Sequence, residues 1–215
     1  AADALSFADA LSLVRFRAQA MQQAVPDNVG GMAAILGLND EKIITICQEV
    51  TQQSGNSSLE PANFNSPGQI VIAGHKDAVL RGIELAKENG AKRAVMLPVS
   101  IPSHCTLMQP AVEEMRQKLE EIKLHTPKIP VLHNVDARAR NDETSIKDLL
   151  VQQLYRPVQW VNIIQALGKE GISHIVECGP GKVLTGLNKR IARDAQHLPL
   201  ADSESMNQAI NTLNA

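Results

Sequence analysis

Apolar positions along the chain alternate between a helical period and the short runs of buried strands. Phe7, Leu11, Val14, Ala18 and Met21 recur in steps of four and three, which predicts a helix over Ser6–Ala24 with that stripe turned inward. Ser6 followed by Asp9 predicts a capping box at its start. Strands are then predicted over Gly30–Leu38, Leu59–Asn65, Gln69–Gly74 and Lys92–Val99, with a turn through Ser66–Gln69. Helices are predicted over Asp40–Gln53 and Lys76–Gly90. That order, βαββαβ, is the order of a ferredoxin-like unit. Further along, helices are expected over Met108–Ile122, Thr144–Tyr155, Val158–Glu170 and Val183–Ala192, with strands over Val131–Val135 and His174–Gly181. The second of these strands has a buried look. The polar tail after Pro199 is expected to be loosely attached. Alternating strands and helices place the chain in the α/β class, with a parallel sheet covered on both faces. Residues 29–99 are expected to form one inserted subdomain, and residues 1–28 with 100–215 the domain that carries it.

Composition narrows the function. The 215 residues are 44% hydrophobic and 20% charged, as in ordinary globular proteins. A net charge of −2 leaves no basic excess to displace counterions, and 2% aromatic residues give no stacking platform, so nucleic acid is not an expected partner. Cys47, Cys105 and Cys178 are odd in number, far apart and free of metal spacing, which suits a reducing cytoplasm. The first residues lack a signal peptide's basic start and long apolar run, and no apolar run reaches membrane-spanning length.

Candidate chemistry concentrates around LPVSIPSHCTLM, Leu97–Met108. His104 sits there in a turn between a strand and a helix, stiffened by Pro98 and Pro102, as a general base is held. Cys105 follows it directly, and adjacent residues on extended backbone point apart, so the two make a poor Cys–His dyad. In the first helix the neighbours of Arg17 one turn away are Leu13, Val14, Ala20 and Met21, whereas those of Arg15 are half polar. Arg17 is therefore the arginine expected to point into an enclosed place, where it needs either a protein carboxylate or an anionic ligand. Gln153 shares a face with Ile146, Leu149 and Leu150 and lies in the last helical turn, where carbonyls lack intrahelical partners. Its carbonyl is placed either to accept a proton from an imidazole or simply to fray before Pro157. GPGK at Gly179–Lys182 lacks the spacing of a phosphate loop, no metal-ligand pattern appears, and there is no G-x-S-x-G nucleophile elbow.

Taken together, LVRFRAQAMQQAVP, NFNSPGQIVIAGH, LPVSIPSHCTLM, QLYRPVQW and ECGPGKVLTGLNKRI resemble, in order, the motifs of the malonyl-CoA:acyl carrier protein transacylase family of bacterial fatty acid synthesis. The resemblance runs over essentially the whole chain. It implies an α/β-hydrolase-like domain, here incomplete, carrying an inserted ferredoxin-like (βαββαβ) subdomain. It implies malonyl transfer from coenzyme A to the phosphopantetheine thiol of acyl carrier protein through a serine ester, with the coenzyme A thioester as substrate and no cofactor.

By the same resemblance His104 is the base, the Gln153 backbone carbonyl orients it, and Arg17 pairs with the malonyl carboxylate. Asn63 and Asn65 face the cleft and the pantetheine arm, and Ser103 is grouped with the substrate-binding residues. The family begins with GQGSQ and GHSLGE motifs, the second bearing the acylated Ser, and neither is found in this sequence. The chain is therefore expected to match the rear two thirds of such a protein, to depend on the absent N-terminal segment, and to be inactive alone. Two alternatives stand beside this reading: a non-catalytic module that binds acyl carrier protein or coenzyme A, and a polyketide-synthase-type acyltransferase domain.

Overall fold

A computed structural model describes residues 1–99 and 101–214. Ser100, where the sequence reading set a domain boundary, and the terminal Ala215 lie outside the described residues. The chain opens with helix α1, Phe7–Ala24. Ser6 caps it, its hydroxyl accepting from the Asp9 N–H at 3.1 Å and donating to the Asp9 carboxylate at 2.6 Å. Only half of the expected capping box forms: the Asp9 carboxylate accepts from the Ser6 hydroxyl and not from its backbone N–H.

Of the stripe read from the sequence only Met21 lies on the buried face of α1. Phe7, Leu11 and Val14 are exposed and so is Ala18; Leu13, Ala20 and Met21 are buried, with Phe16 and Ala24 packed beside them. The helix carries two apolar stripes at helical spacing, so periodicity alone does not say which one meets the core.

Strands β1 (Gly30–Leu36), β2 (Leu59–Ser66), β3 (Gln69–His75) and β4 (Arg93–Met96) form an antiparallel sheet in the order β2-β3-β1-β4. Helices α2 (Asp40–Gln53) and α3 (Lys76–Glu88) cover one face. The alternation of the strands explains the two layers. Ala33, Ile35, Ile70 and Ile72 point to the helices and pack on Ile43, Ile46, Val50, Val79 and Ile83. Met32, Val71 and Ala73 point the other way, with Ala62, and pack on Cys105 and the half-buried Leu97 and Leu107. Gly82 lets α3 approach β2, since a Cβ there would stand 2.5 Å from Leu59 Cδ2.

After β4 come a short 3-10 helix (Thr106–Ala111) and helices α4 (Val112–Glu120), α5 (Glu143–Gln152) and α6 (Trp160–Lys169). Strand β5 (His174–Cys178), α7 (Val183–Ile191), strand β6 (Gln196–Leu200) and α8 (Ser203–Leu213) complete the chain. Pro110, which cannot donate to a helix ladder, separates the 3-10 turn from α4 where one continuous helix was predicted. Val131–Val135 is not a strand. Leu132 makes a single bridge to Ala139, and the loop is held by the His133 carbonyl accepting from Ala137 N–H and by the Arg140–Asp136 ion pair.

The tail is not loose either. β6 pairs in parallel with β5, and Asp202 and Ser205 form a reciprocal capping box that starts α8. β5 itself is half-buried rather than buried, because β6 is its only strand neighbour among the described residues. No helix among the described residues is long and apolar enough to cross a membrane.

Candidate functional site

His104 occupies a backbone conformation that few side chains adopt. Its φ of +64° is left-handed, a state that costs on the order of 1–3 kcal/mol and persists only where surroundings enforce it. Two bonds of its own hold it there. The His104 N–H donates to the Leu154 carbonyl at 2.9 Å, and its Nδ1 donates to the Gln153 carbonyl at 2.7 Å. Both carbonyls belong to the end of α5, where intrahelical partners run out. Two residues on, Glu60 of β2 accepts from the Thr106 N–H at 3.1 Å and from the Thr106 hydroxyl.

A carbonyl only accepts, so the bond to Gln153 fixes the proton on Nδ1 and leaves the Nε2 lone pair available. Burial holds the His104 pKa below its ordinary value. The Gln153 carbonyl opposes that shift and the nearby positive charge of Arg17 adds to it. The imidazole is therefore neutral at neutral pH and able to take a proton. Cys105 points away into the sheet interface, where its thiol donates to the Pro102 carbonyl at 3.1 Å and desolvation pushes its pKa up to about 12.

Arg17 and His104 reach one another electrostatically because α1 packs on the 3-10 helix that follows His104, through Leu13, Ala20 and Met21 against Met108 and Ala111. Arg15 is exposed and Arg17 half-buried. Among the described residues Arg17 has no ion pair and no hydrogen bond, and burial lowers its pKa from the usual guanidinium range. A partly buried, unpaired guanidinium is an electrostatic demand for an anion.

Asn63 and Asn65 lie on β2, half-buried, with no side-chain hydrogen bond among the described residues. Asn63 bridges Val158, and the neighbouring Phe64 N–H donates to the Val158 carbonyl at 2.9 Å. The segment 153–158 thus runs from His104 to the edge of β2. Asn65 sits further along, toward the β2–β3 turn, and no contact ties it to His104. Ser103 is half-buried, its N–H donating to the Ile101 carbonyl at 2.9 Å, and its hydroxyl has no partner among the described residues.

The structure therefore brings His104, Gln153 and Arg17 together, with Ser103 adjacent and Asn63 linked through Val158. A surface depression of about 580 Å³ lies elsewhere, between α4 and α5, lined by Arg116, Glu120, Glu143 and Lys147. It holds charges of both signs with no focus, so chemistry rather than volume selects the His104 site.

Sequence reading missed two contributors. Gly30 makes room for the turn: a Cβ there would stand 2.3 Å from Pro102 Cγ. Glu60 is the second. Its one sequence signal is an acidic residue on a strand between the buried Leu59 and Ala62.

A family model described as an acyl transferase domain matches residues 1–206. The chain is 46% identical over 209 residues to the malonyl CoA-acyl carrier protein transacylase of Escherichia coli K12, covering 97% of this chain and 67% of that protein. It is 50% identical over 190 residues to the protein of the same name from Salmonella typhimurium, covering 88% of this chain and 60% of that one. The chain thus spans about 60–67% of the length of these curated relatives.

Among solved structures, the malonyl CoA-acyl carrier protein transacylase of Coxiella burnetii superposes with a TM-score of 0.96 at 45% identity, covering 100% of this chain and 67% of that one. A malonyl-transacylase in complex with a type II polyketide synthase acyl-carrier protein superposes with a TM-score of 0.95 at 42% identity, covering 98% of this chain and 67% of that one.

Proposed function

The chain belongs to the acyl transferase domain family, and on that footing we propose that it is the base- and clamp-bearing part of a transacylase that moves malonyl groups from coenzyme A to acyl carrier protein. The observation that carries the reading is the His104 imidazole, held on the Gln153 carbonyl at 2.7 Å, on a turn packed against the helix that bears the half-buried Arg17, unpaired among the described residues.

In this mechanism His104 Nε2 takes the proton of a serine hydroxyl as its oxygen bonds to the thioester carbonyl carbon. The resulting imidazolium returns that proton to the coenzyme A sulfur as the C–S bond breaks, leaving a serine ester. The carrier-protein thiol then gives its proton to His104 and attacks the ester, and the serine leaves with the proton. The Gln153 carbonyl stands where an ordinary triad has a carboxylate, holding the tautomer and stabilising the transient imidazolium. Arg17 receives the substrate's free carboxylate in a two-bond fork, which separates malonyl from acetyl. Ser103, Asn63 and Asn65 line the approach to the pantetheine arm.

The serine and both oxyanion donors belong, on this reading, to sequence outside the 215 residues, so these residues alone should not turn over. The four-stranded sheet with α2 and α3 is taken as the ferredoxin-like insert, and residues 1–28 and 100–215 as part of the α/β-hydrolase-like domain. Three free cysteines, two of them buried, suit the cytoplasm where fatty acid synthesis supplies these partners.

The test is transfer of radiolabelled malonyl from coenzyme A to acyl carrier protein by the full-length protein. A labelled serine ester that accumulates when His104→Ala blocks discharge, or fails to form at all, supports the assignment. Unimpaired transfer by His104→Ala overturns it.

A further inference from the structure

The His104 turn is held on two sides, and only one side is explained by the mechanism above. The α5 side supplies carbonyls to the His104 backbone and ring. The other side is a lone carboxylate from a different layer. Glu60 Oε1 receives both the Thr106 N–H and the Thr106 hydroxyl. Thr106 opens the 3-10 helix, so its N–H is one that no helical carbonyl can satisfy. The residue between, Cys105, is buried against the same sheet and leaves no slack in the chain from Thr106 back to His104.

We propose that Glu60 is a positioning residue for His104: its carboxylate, anchored on β2, fixes the Thr106 end of the turn and so keeps the imidazole on the Gln153 carbonyl. This rests on the reading of His104 as the base. Without the clamp, the left-handed backbone at His104 has one fixed end only and can relax to an ordinary conformation. The ring then leaves Gln153, the tautomer is no longer set, and Nε2 no longer meets the serine. Glu60 touches no substrate atom in this role. It acts from the four-stranded sheet onto the turn that carries His104, which couples the two layers.

The experiment uses the full-length protein with Glu60→Ala, Glu60→Gln and Thr106→Val. Glu60→Ala is expected to lower kcat for malonyl transfer about 10–100-fold, with KM for malonyl-CoA within about twofold, because a small displacement of a catalytic group costs rate rather than binding. Glu60→Gln keeps an accepting oxygen and should recover most of the loss. Thr106→Val keeps the N–H bond and should fall between.

In a His104→Ala background Glu60→Ala should have no further effect on the residual rate, since it acts through His104. Nitrogen-15 histidine NMR gives a readout independent of turnover. His104 should show the single Nδ1–H tautomer in the parent and a mixture in Glu60→Ala.

A full kcat in Glu60→Ala, an equal loss in the His104→Ala background, or an unchanged tautomer beside a reduced rate would each overturn the proposal. If the parent protein transfers no malonyl group, the functional reading fails. The NMR comparison would still decide whether Glu60 orients His104.

Discussion

At the scale of single residues, the site is built from groups that cost stability. Arg17 loses hydration without gaining a protein partner among the described residues, and His104 holds a strained backbone. Removing the unpaired guanidinium should therefore relieve the fold while it damages the site. Arg17→Met is expected to raise the melting temperature of the full-length protein, by an amount equivalent to about 1 kcal/mol, in a thermal scan without substrate. The same change should lower kcat/KM for malonyl-CoA relative to acetyl-CoA by a factor corresponding to about 2–4 kcal/mol. A melting temperature that falls would mean that Arg17 has a structural partner after all.

The sign of the pH dependence follows from His104. Its folded pKa is depressed by burial, so the fold favours the neutral ring. As pH falls below the ordinary value of about 6.5, the unfolded chain takes up a proton that the folded chain resists, and stability declines through that window. His133, also depressed chiefly by burial, adds to the same slope. If His104 is the base, as proposed, activity should show an acid limb centred below about pH 6.5 and a plateau above it, because only the neutral imidazole can take the proton. A pH–rate profile of kcat/KM whose acid limb lies clearly above 6.5 would contradict the cause assigned to the shift.

At the scale of elements, what positions the site is mostly backbone. Gln153 contributes a carbonyl, so Gln153→Ala should leave kcat within about twofold, since the end of α5 keeps its geometry. Gly30→Ala should do the opposite from outside the site. Its Cβ would drive into the Pro102 ring, forcing the His104 turn off β1 at about 1–3 kcal/mol of stability and a larger loss of kcat than of KM. Differential scanning calorimetry and steady-state kinetics on the two variants separate these outcomes.

This contrast also explains what the sequence made legible. Helix α2, Asp40–Gln53, was readable to the residue because its apolar positions Ile43, Ile46, Cys47 and Val50 share one buried face. The order of strands and helices in 29–99 was readable for the same reason. The buried face of α1 was not, because its second apolar stripe fits the period equally well. Nor was Val131–Val135, where a short apolar run became a loop closed by side chains from Asp136 and Arg140. The Glu60–Thr106 bond joins residues distant in sequence through tertiary packing, which no local pattern encodes.

At the scale of the whole molecule, the described residues leave a good deal of apolar surface open. Phe7, Leu11 and Val14 run along the outer face of α1, with Phe7 84% exposed, and Val183 at the start of α7 is 73% exposed. Met206, Ile210 and Leu213 line one side of α8. β5 and β6 make a parallel pair, an arrangement that elsewhere is covered on both faces and flanked by further strands. Such a surface is expected to associate with whatever covers it, including other copies of itself. The isolated 215 residues should therefore be poorly soluble, bind a hydrophobic dye while folded, and sediment in a concentration-dependent way.

If the outer stripe of α1 is the source, replacing Phe7, Leu11 and Val14 together with Lys should suppress the association. It should do so without lowering the melting temperature, because those side chains contribute nothing to the packed face formed by Leu13, Ala20 and Met21. The same triple change placed in the full-length protein should be damaging if the stripe is covered there, and harmless if it faces water. Analytical ultracentrifugation of the 215 residues and thermal scans of both forms decide between these. A 215-residue chain that stays monomeric and melts in one sharp transition would show that the four-stranded sheet and the α1–α4–α5 core stabilise the fold without further cover.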